Sequence, residues 1–493
     1  MADETRQTIS DADAQRIVDI ALRWADYHGD MIDSEVVLPG QTDENVVITN
    51  ARTIIDTGVD FLFGQAEVVV QCTPESDADL AAAEERTDRI EEVLCENDKD
   101  VLLAELAMNG AVAGHAAIKF LPKLPGGEHR LLVVDPATHT VECDPHDYKR
   151  VLVHRLQYNS VDPVTRRIII HREDHTRNVA ESTGLDAGSW TITRYVGEIA
   201  AIQAQAGVNR QIVKWTEIGE PELWAFDWCQ IHDCQNLLNP NVYWGLSDIE
   251  KPITHVNEAV NEVASDTRST LRYFAHPTPV AIGSDPKVMQ ALLDVAIGQA
   301  LCLPAGSEYS LVEMQHDLAS SKAFQDDLDD KQFEMARIPK IAIGRLDNAG
   351  ALTGVALRVL YRPLLAKTEM KRKLYGGMIR KLAAHILAYD AMGDDCECQC
   401  IWPDVLPRNE KEEADTAAVL SGLGVSRRTL LERLGFDPDL EEQRRAEEAN
   451  DPMNDLHGGN QMLGDMQAQI DALTTGEPDA ADAGTGSGDQ PKG

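Results

Sequence analysis

The 493-residue chain has few basic side chains for its size. Its 45 Lys and Arg stand against 83 Asp and Glu, which gives a formal net charge of −38. Proteins that read a DNA sequence usually carry a basic domain, so this balance argues against that class, although a few local cations could still meet DNA. Only 16 of the basic residues are Lys. An acidic, Lys-poor surface also suits a high-salt habitat, where charge repulsion is screened.

Long apolar runs and cysteines are also scarce. No stretch of 18 apolar residues occurs, so we expect no membrane-spanning segment. The N-terminus, MADETRQTIS, lacks the basic and apolar regions of a secretory signal. The 9 cysteines are few and odd in number, which favours reduced thiols. The length exceeds the roughly 250 to 300 residues at which one core usually stops growing, so two or more folding units are expected.

The signatures of common enzymes are missing. The sequence contains no GxxxxGK[ST] loop, no strand-anchored GxGxxG, no HExxH and no GxSxG. The cysteine clusters at 394–400 (DDCECQC) and 229–234 (CQIHDC) are poor zinc signatures, and we interpret the first as small buried hydrophobes. The carboxylates and lysine at 403–413 lack the spacing of a nuclease site. The residues therefore nominate no catalytic site, no metal site and no cofactor.

Hydrophobic periodicity predicts an α+β chain. Antiparallel strands, separated by Asp-Pro and Gly turns, are expected from 114 to 228. An apolar stripe with steps of three and four predicts a long helix over 244–276, which Ser247 or Asp248 could cap. Pro252 is compatible with this helix only in its first turn. The other main expected helices cover 11–28, 50–63, 316–338, 364–392, 409–421 and 426–434.

Two of these helices carry opposite charges. The helix at 316–338 is rich in Asp and Glu, whereas the helix at 364–392 carries Lys367, Lys371 and other cations. The acidic helix could present a solvated face or the lining of a channel. The two helices could also pair with each other, within one subunit or between subunits.

Several short segments are distinctive in their order along the chain: IIDTGVDFLFGQ (54–65), WGLSD (244–248) with Asn257 and Asn261 after it, TGVAL (353–357) and GVSRRTLLERLG (424–435). In this order they resemble segments of the portal (head-tail connector) proteins of tailed double-stranded DNA viruses. Thr353 and Trp244 differ from the residues that are commonest in the family at these positions.

The resemblance implies a dodecameric ring around a central channel for DNA packaging and ejection. It implies a portal fold with an α+β wing, long stem helices, a small clip and a helical crown. The parts are the wing (1–243, with a long helix and a strand in 357–403), stem helices (244–276 and 314–338), a clip (277–313), a tunnel loop (339–356), a crown (404–450) and an acidic, disordered tail (451–493). The expected location is the portal vertex of the virion, with assembly in the host cytoplasm.

The resemblance also implies partners and site residues. The partners are a terminase packaging ATPase, head-tail adaptor proteins, major capsid and scaffolding proteins, and double-stranded DNA that passes without sequence specificity; no membrane is involved. In the tunnel loop we expect the cations Lys340 and Arg345 near DNA phosphates and Asp347 and Asn348 at the tip. The expected channel-lining residues are Asp326, Asp327, Asp330 and Glu334, and the expected partner-binding residues of the clip are Val288, Leu292 and Val295.

Two other functions remain open at this point. The scattered carboxylates could belong to a metal-dependent nucleic-acid hydrolase. The long helices could instead form an acidic scaffold without a channel. Twelvefold rings in electron micrographs would argue against both alternatives.

Overall fold

The structure is a computed structural model, and the chain divides into two compact units, Met1–Leu406 and Pro407–Gly493. Each unit is described by itself. The residues that the structure describes are 10–30, 46–64, 68–74, 79–179, 186–205, 208–275, 279–282, 308–311, 318–345, 354–393, 397–403, 419–434 and 441.

The first unit begins with a group of helices. Helix α1 (Asp11–His28) starts at Ser10, whose Oγ accepts a hydrogen bond from the Asp13 backbone N–H at 3.1 Å, a typical N-cap. Helix α2 (Asn50–Val59) continues into a π-helical turn (Asp60–Gly64), and these bounds confirm the two predicted N-terminal helices. The next helices are α3 (Leu80–Glu96) and α4 (Lys99–Ala113).

The strands that follow form antiparallel sheets, as predicted. The strands are β2 (His115–Leu121), β3 (Arg130–Val134), β4 (His139–Asp144), β5 (Asp147–Val161), β6 (Ile168–Val179), β7 (Asp186–Gln205), β8 (Val208–Glu217), β9 (Glu222–Trp224) and β10 (Ile231–Gln235). A three-stranded sheet has the order β10–β2–β3, and a six-stranded sheet runs from β4 to β8 with β9 paired to β7.

Two small sheets join distant parts of the sequence. Strand β1 (Val69–Cys72) pairs with β13 (Cys398–Ile401), and β11 (Pro279–Ile282) pairs with β12 (Glu308–Leu311). In the first sheet the Sγ atoms of Cys72 and Cys398 lie 3.7 Å apart. Cys398 is buried, as the interpretation of this cysteine cluster expects, whereas Cys400 is only half-buried and Cys396 lies outside the described residues.

Three further helices lie within the described residues of the first unit. Helix α5 (Lys251–Ala275) pairs with α6 (Ala319–Met335), and a 3₁₀ turn (Lys340–Ile343) separates α6 from α7 (Gly354–Tyr389). Helix α7 begins earlier than the predicted 364 and continues through Pro363. A proline disfavours a helix interior without forbidding it, so here it does not mark the boundary.

The predicted start of the long helix at 244–248 is wrong, because α5 begins only at Lys251. Ser247 and Asp248 do not cap it. The Ser247 Oγ and the Asp248 backbone N–H both donate to the Ala111 carbonyl, each at 2.8 Å. These bonds hold the segment against α4, so it cannot take a helical course. Pro252 lies in the first turn of α5, as predicted.

The hydrophobic core of the first unit lies where α2, α4, β2 and α7 meet. Buried side chains include Ile54, Leu106, Ile118 and Tyr375. Gly110 of α4 lies directly against Tyr375, since an added Cβ would be 1.9 Å from the tyrosine oxygen. Within the described residues, no helix is long and apolar enough to cross a membrane.

The second unit is described over 419–434 and at 441. Helix α8 (Arg427–Leu434) follows Ser426, whose Oγ accepts a hydrogen bond from the Thr429 backbone N–H at 3.3 Å. This helix confirms the prediction for 426–434.

Candidate functional site

The candidate site is built on the antiparallel pair of α5 and α6. Near the C-terminal end of α6, Gln332 donates to the Ile253 carbonyl (3.2 Å) and to the Asn257 Oδ1 (3.3 Å), close to the N-terminal end of α5. The other ends of the two helices lead towards the paired strands β11 and β12. The two helices therefore run in opposite directions, as expected of two stem helices joined through an insert.

Buried amides fix the position of α6. Gln332 is 0% exposed, and its Oε1 accepts a hydrogen bond from the Asn50 Nδ2 at 2.9 Å. The same Asn50 nitrogen donates to the Asp329 Oδ1 at 2.8 Å. Because a buried polar group is costly unless it has a partner, this network specifies one register of α6 against α5 and α2.

The two asparagines noted in the sequence have structural partners. Asn257 accepts from Gln332, as described above. The Asn261 Oδ1 accepts from the Ile48 backbone N–H at 2.8 Å, and the Ser265 Oγ, one turn further along α5, accepts from the Val46 backbone N–H at 3.0 Å. The three residues are spaced by four and lie on one face of α5, which thus contacts α6 near its start and, further along, the segment that leads into α2.

The structure brings the predicted cations next to the predicted acidic residues. The Lys340 Nζ forms an ion pair with the Asp330 Oδ1. The Arg345 Nη1 lies 3.6 Å from the Asp329 Oδ2, and its guanidinium lies 5.7 Å from the centre of the Phe333 ring. Lys340 and Arg345 both remain exposed, so the pairs are surface pairs of small net stability.

The other predicted acidic residues of α6 are on its surface. Asp326, Asp327 and Glu334 are exposed, and Glu334 pairs with Lys331 at 3.0 Å. Asp347, Asn348, Val288, Leu292 and Val295 lie outside the described residues.

The WGLSD segment lies between β10 and α5, and close contacts of its residues fix its course. The Arg16 guanidinium lies 3.7 Å from the centre of the Trp244 ring, a cation–π contact. A Cβ on Gly245 would lie 2.4 Å from the Gly114 carbonyl oxygen. Only glycine therefore allows the backbone of this segment to approach the end of α4 so closely.

Asp248 is the charged centre of this junction. It is 2% exposed, and its carboxylate lies 2.5 Å from the Lys371 Nζ and 3.3 Å from the Lys367 Nζ. Burial alone would raise the pKa of Asp248, but the two ammonium groups hold that pKa below its usual value. The Asn236 Nδ2 also donates to the carboxylate at 3.2 Å.

Sequence analysis missed this junction. The sequence left open a pairing of Lys367 and Lys371 with the acidic side chains of the helix at 316–338. Within the chain both lysines meet Asp248, and Lys367 also donates to the Ala336 carbonyl at 3.1 Å. The sequence did contain a sign that these lysines are buried. They are four residues apart, so they lie on one face of α7, and the same face carries the buried Leu364 and Tyr375.

Comparison with family models gives a match over most of the chain. The family model described as "Phage portal protein, SPP1 Gp6-like" matches residues 39–454. No curated protein matches the sequence.

Solved structures give distant similarities. A chain from the neck of an empty gene transfer agent (GTA) particle with C6 symmetry is 13% identical, with a TM-score of 0.44, over 86% of this chain and 99% of that one. A chain from the neck of a native GTA particle with C12 symmetry is 11% identical, with a TM-score of 0.44, over 79% and 90%. A chain from the virion of a native GTA particle is 11% identical, with a TM-score of 0.45, over 86% and 99%.

Proposed function

The chain belongs to the SPP1 Gp6-like phage portal protein family, and on that basis we propose that it forms a dodecameric ring whose channel is lined in part by α6. Portal proteins are structural components of the virion that form the portal vertex for DNA packaging. The chain is accordingly a structural protein of an oligomeric ring and not an enzyme. The observation that carries this conclusion is the family match over 39–454.

The negative charge of α6 supports the proposal that this helix lines the channel. A polymer that must slide through a conduit should not adhere to it, and phosphate contacts by many cations would give strong, salt-dependent binding. The exposed Asp326, Asp327 and Glu334 present negative charge instead. We assign these residues and Asp330 to the channel wall.

Lys340 and Arg345 are the cations that we place nearest the DNA phosphates. The carboxylates of Asp330 and Asp329, which pair with these cations, weaken the attraction of the cations for phosphate. Exposed ion pairs contribute little stabilising free energy. A passing phosphate can therefore compete with the carboxylates for either cation. Such exchange would let the segment contact DNA transiently without holding it. Asp347 and Asn348 would lie at the tip of the same loop.

The remaining partners follow from the family. We propose that residues 277–313, including Val288, Leu292 and Val295, contact neighbouring subunits, the terminase ATPase and later the head-tail adaptors. Capsid and scaffolding proteins would contact the outer parts of the ring. Deleting residues 284–308 should leave soluble, helical subunits that fail to support packaging. Normal packaging with that deletion would contradict the assignment of the clip.

The test of the DNA-handling segment is the double variant K340A/R345A. Rings should assemble normally, because both side chains lie on the surface outside the core, while the DNA packaged or retained per head should fall. The matched control is K322A/K331A, which removes two exposed cations from α6 itself. Heads filled to the parental density by K340A/R345A would show that these cations have no role in handling DNA.

A further inference from the structure

Two buried histidines of the six-stranded sheet face each other at metal-ligand distance. The Nε2 of His139, on β4, lies 3.1 Å from the Nδ1 of His154, on β5. The two residues are 0% and 4% exposed. Two nitrogens bound to one tetrahedral zinc ion at about 2.0 to 2.1 Å would lie roughly 3.3 Å apart, so the rings need little movement to share an ion.

A carboxylate from another sheet completes the group. One ligand atom from each of His139, His154 and Asp233 lies within 4.8 Å of the other two. Asp233 belongs to β10 of the three-stranded sheet. Its side chain is 17% exposed, which gives an ion a route from solvent.

Neighbouring groups orient the Asp233 carboxylate. Its Oδ2 accepts hydrogen bonds from the His115 Nε2, at 3.0 Å, and from the Tyr243 hydroxyl. Outer partners of this kind hold the ligands of metal sites in place.

The nitrogens that an ion would use are the Nε2 of His139 and the Nδ1 of His154, because these two atoms face each other. An ion between the rings would accept one lone pair from each. The Nδ1 of His139, on the other side of its ring, has no hydrogen-bond partner among the described residues and would keep the proton when the Nε2 holds the ion.

We propose that His139, His154 and Asp233 bind one divalent transition-metal ion, with zinc as the best fit. Two imidazoles and one carboxylate, with water in a fourth position, are a common zinc ligand set. The ion would join the six-stranded sheet to the three-stranded sheet. This inference rests on the geometry of the wing and not on the proposed role of the channel.

The test uses the full chain without a histidine tag, treated with a chelator and then titrated with zinc against a chromophoric competitor. The parent should bind one zinc ion per chain. The variants H139Q and H154Q should lose affinity by at least about tenfold, since even residues outside the ligand shell often matter that much. H171Q is the matched control, because His171 lies on the same sheet but bonds to Ser160 at 2.7 Å.

X-ray absorption by the zinc-loaded parent provides a readout that does not depend on folding of the variants. The proposal expects two imidazole ligands and oxygen donors in the first shell. It is overturned if the parent binds no stoichiometric zinc, if H139Q and H154Q bind as the parent does, or if the first shell contains cysteine sulfur. If the parent binds no stoichiometric zinc, the 3.1 Å contact between His139 and His154 is a hydrogen bond alone.

Discussion

Replacing Asp248 by Asn should weaken the buried junction of Asp248 with Lys367 and Lys371 of α7 more than any surface change. The variant keeps the shape of the side chain and removes its charge. Lys367 and Lys371, which lie 3.3 and 2.5 Å from the carboxylate, would then be two buried cations without an anion. Breaking a buried ion pair by removing one partner costs about 3 to 5 kcal/mol, and we expect D248N to lose stability in that range.

Urea unfolding, followed by circular dichroism at one fixed protein concentration, measures this loss. The matched control is E334Q, which breaks the exposed pair of Lys331 and Glu334 and should change the free energy of unfolding by less than about 1 kcal/mol. The double variant D248N/K371M leaves one unpaired cation instead of two and should recover part of the loss. If D248N unfolds within about 1 kcal/mol of the parent, the reasoning about the junction is refuted.

Three further outcomes are expected. Burial, with a contribution from Glu258, raises the pKa of Asp26 to about 7. Between about pH 4 and pH 7 the folded chain therefore binds more protons than the unfolded chain. The stability of the fold falls as the pH rises through that window. D26N should therefore be more stable than the parent at pH 8, by about 1.4 kcal/mol for each unit of the shift, and equal to it below pH 4; parallel unfolding profiles of the two proteins would contradict this. G110A should lower the melting temperature, because its Cβ would lie 1.9 Å from the Tyr375 oxygen, and Y375F should relieve part of the effect; an unchanged melting temperature for G110A would refute the contact. Finally, if the net charge of −38 is an adaptation to high salt, light scattering should show the ring loosening as salt is lowered, and a ring equally stable in dilute buffer would remove that interpretation.

Local patterns predicted most of the helices and the antiparallel strands. The apolar stripe located α5, and the Asp-Pro and Gly turns separated the strands of the antiparallel sheets. The bounds failed where long-range contacts decide the backbone: Ser247 and Asp248 have the composition of a helix cap, but their bonds to Ala111 and Lys371 take them into the core instead. The spacing of residues along the sequence does not identify such long-range partners.

The candidate site, like the fold, could be predicted from the sequence only in part. The acidic character of α6 was evident from composition, as were the cations of the segment after it. Their mutual pairing, Lys340 with Asp330, was not, because it depends on the turn at Arg337, whose φ is 61°, and on the 3₁₀ helix at Lys340–Ile343. The cluster of His139, His154 and Asp233 escaped prediction because β10 lies far along the sequence from β4 and β5.

Electron microscopy of the purified full chain tests the central claim most directly. If the chain is a portal subunit whose α6 lines a channel, class averages should show rings with twelvefold symmetry, a central channel and radial wings. Particles of one or two subunits, or closed assemblies without a channel, over the range of salt from dilute buffer to molar concentrations would contradict the account.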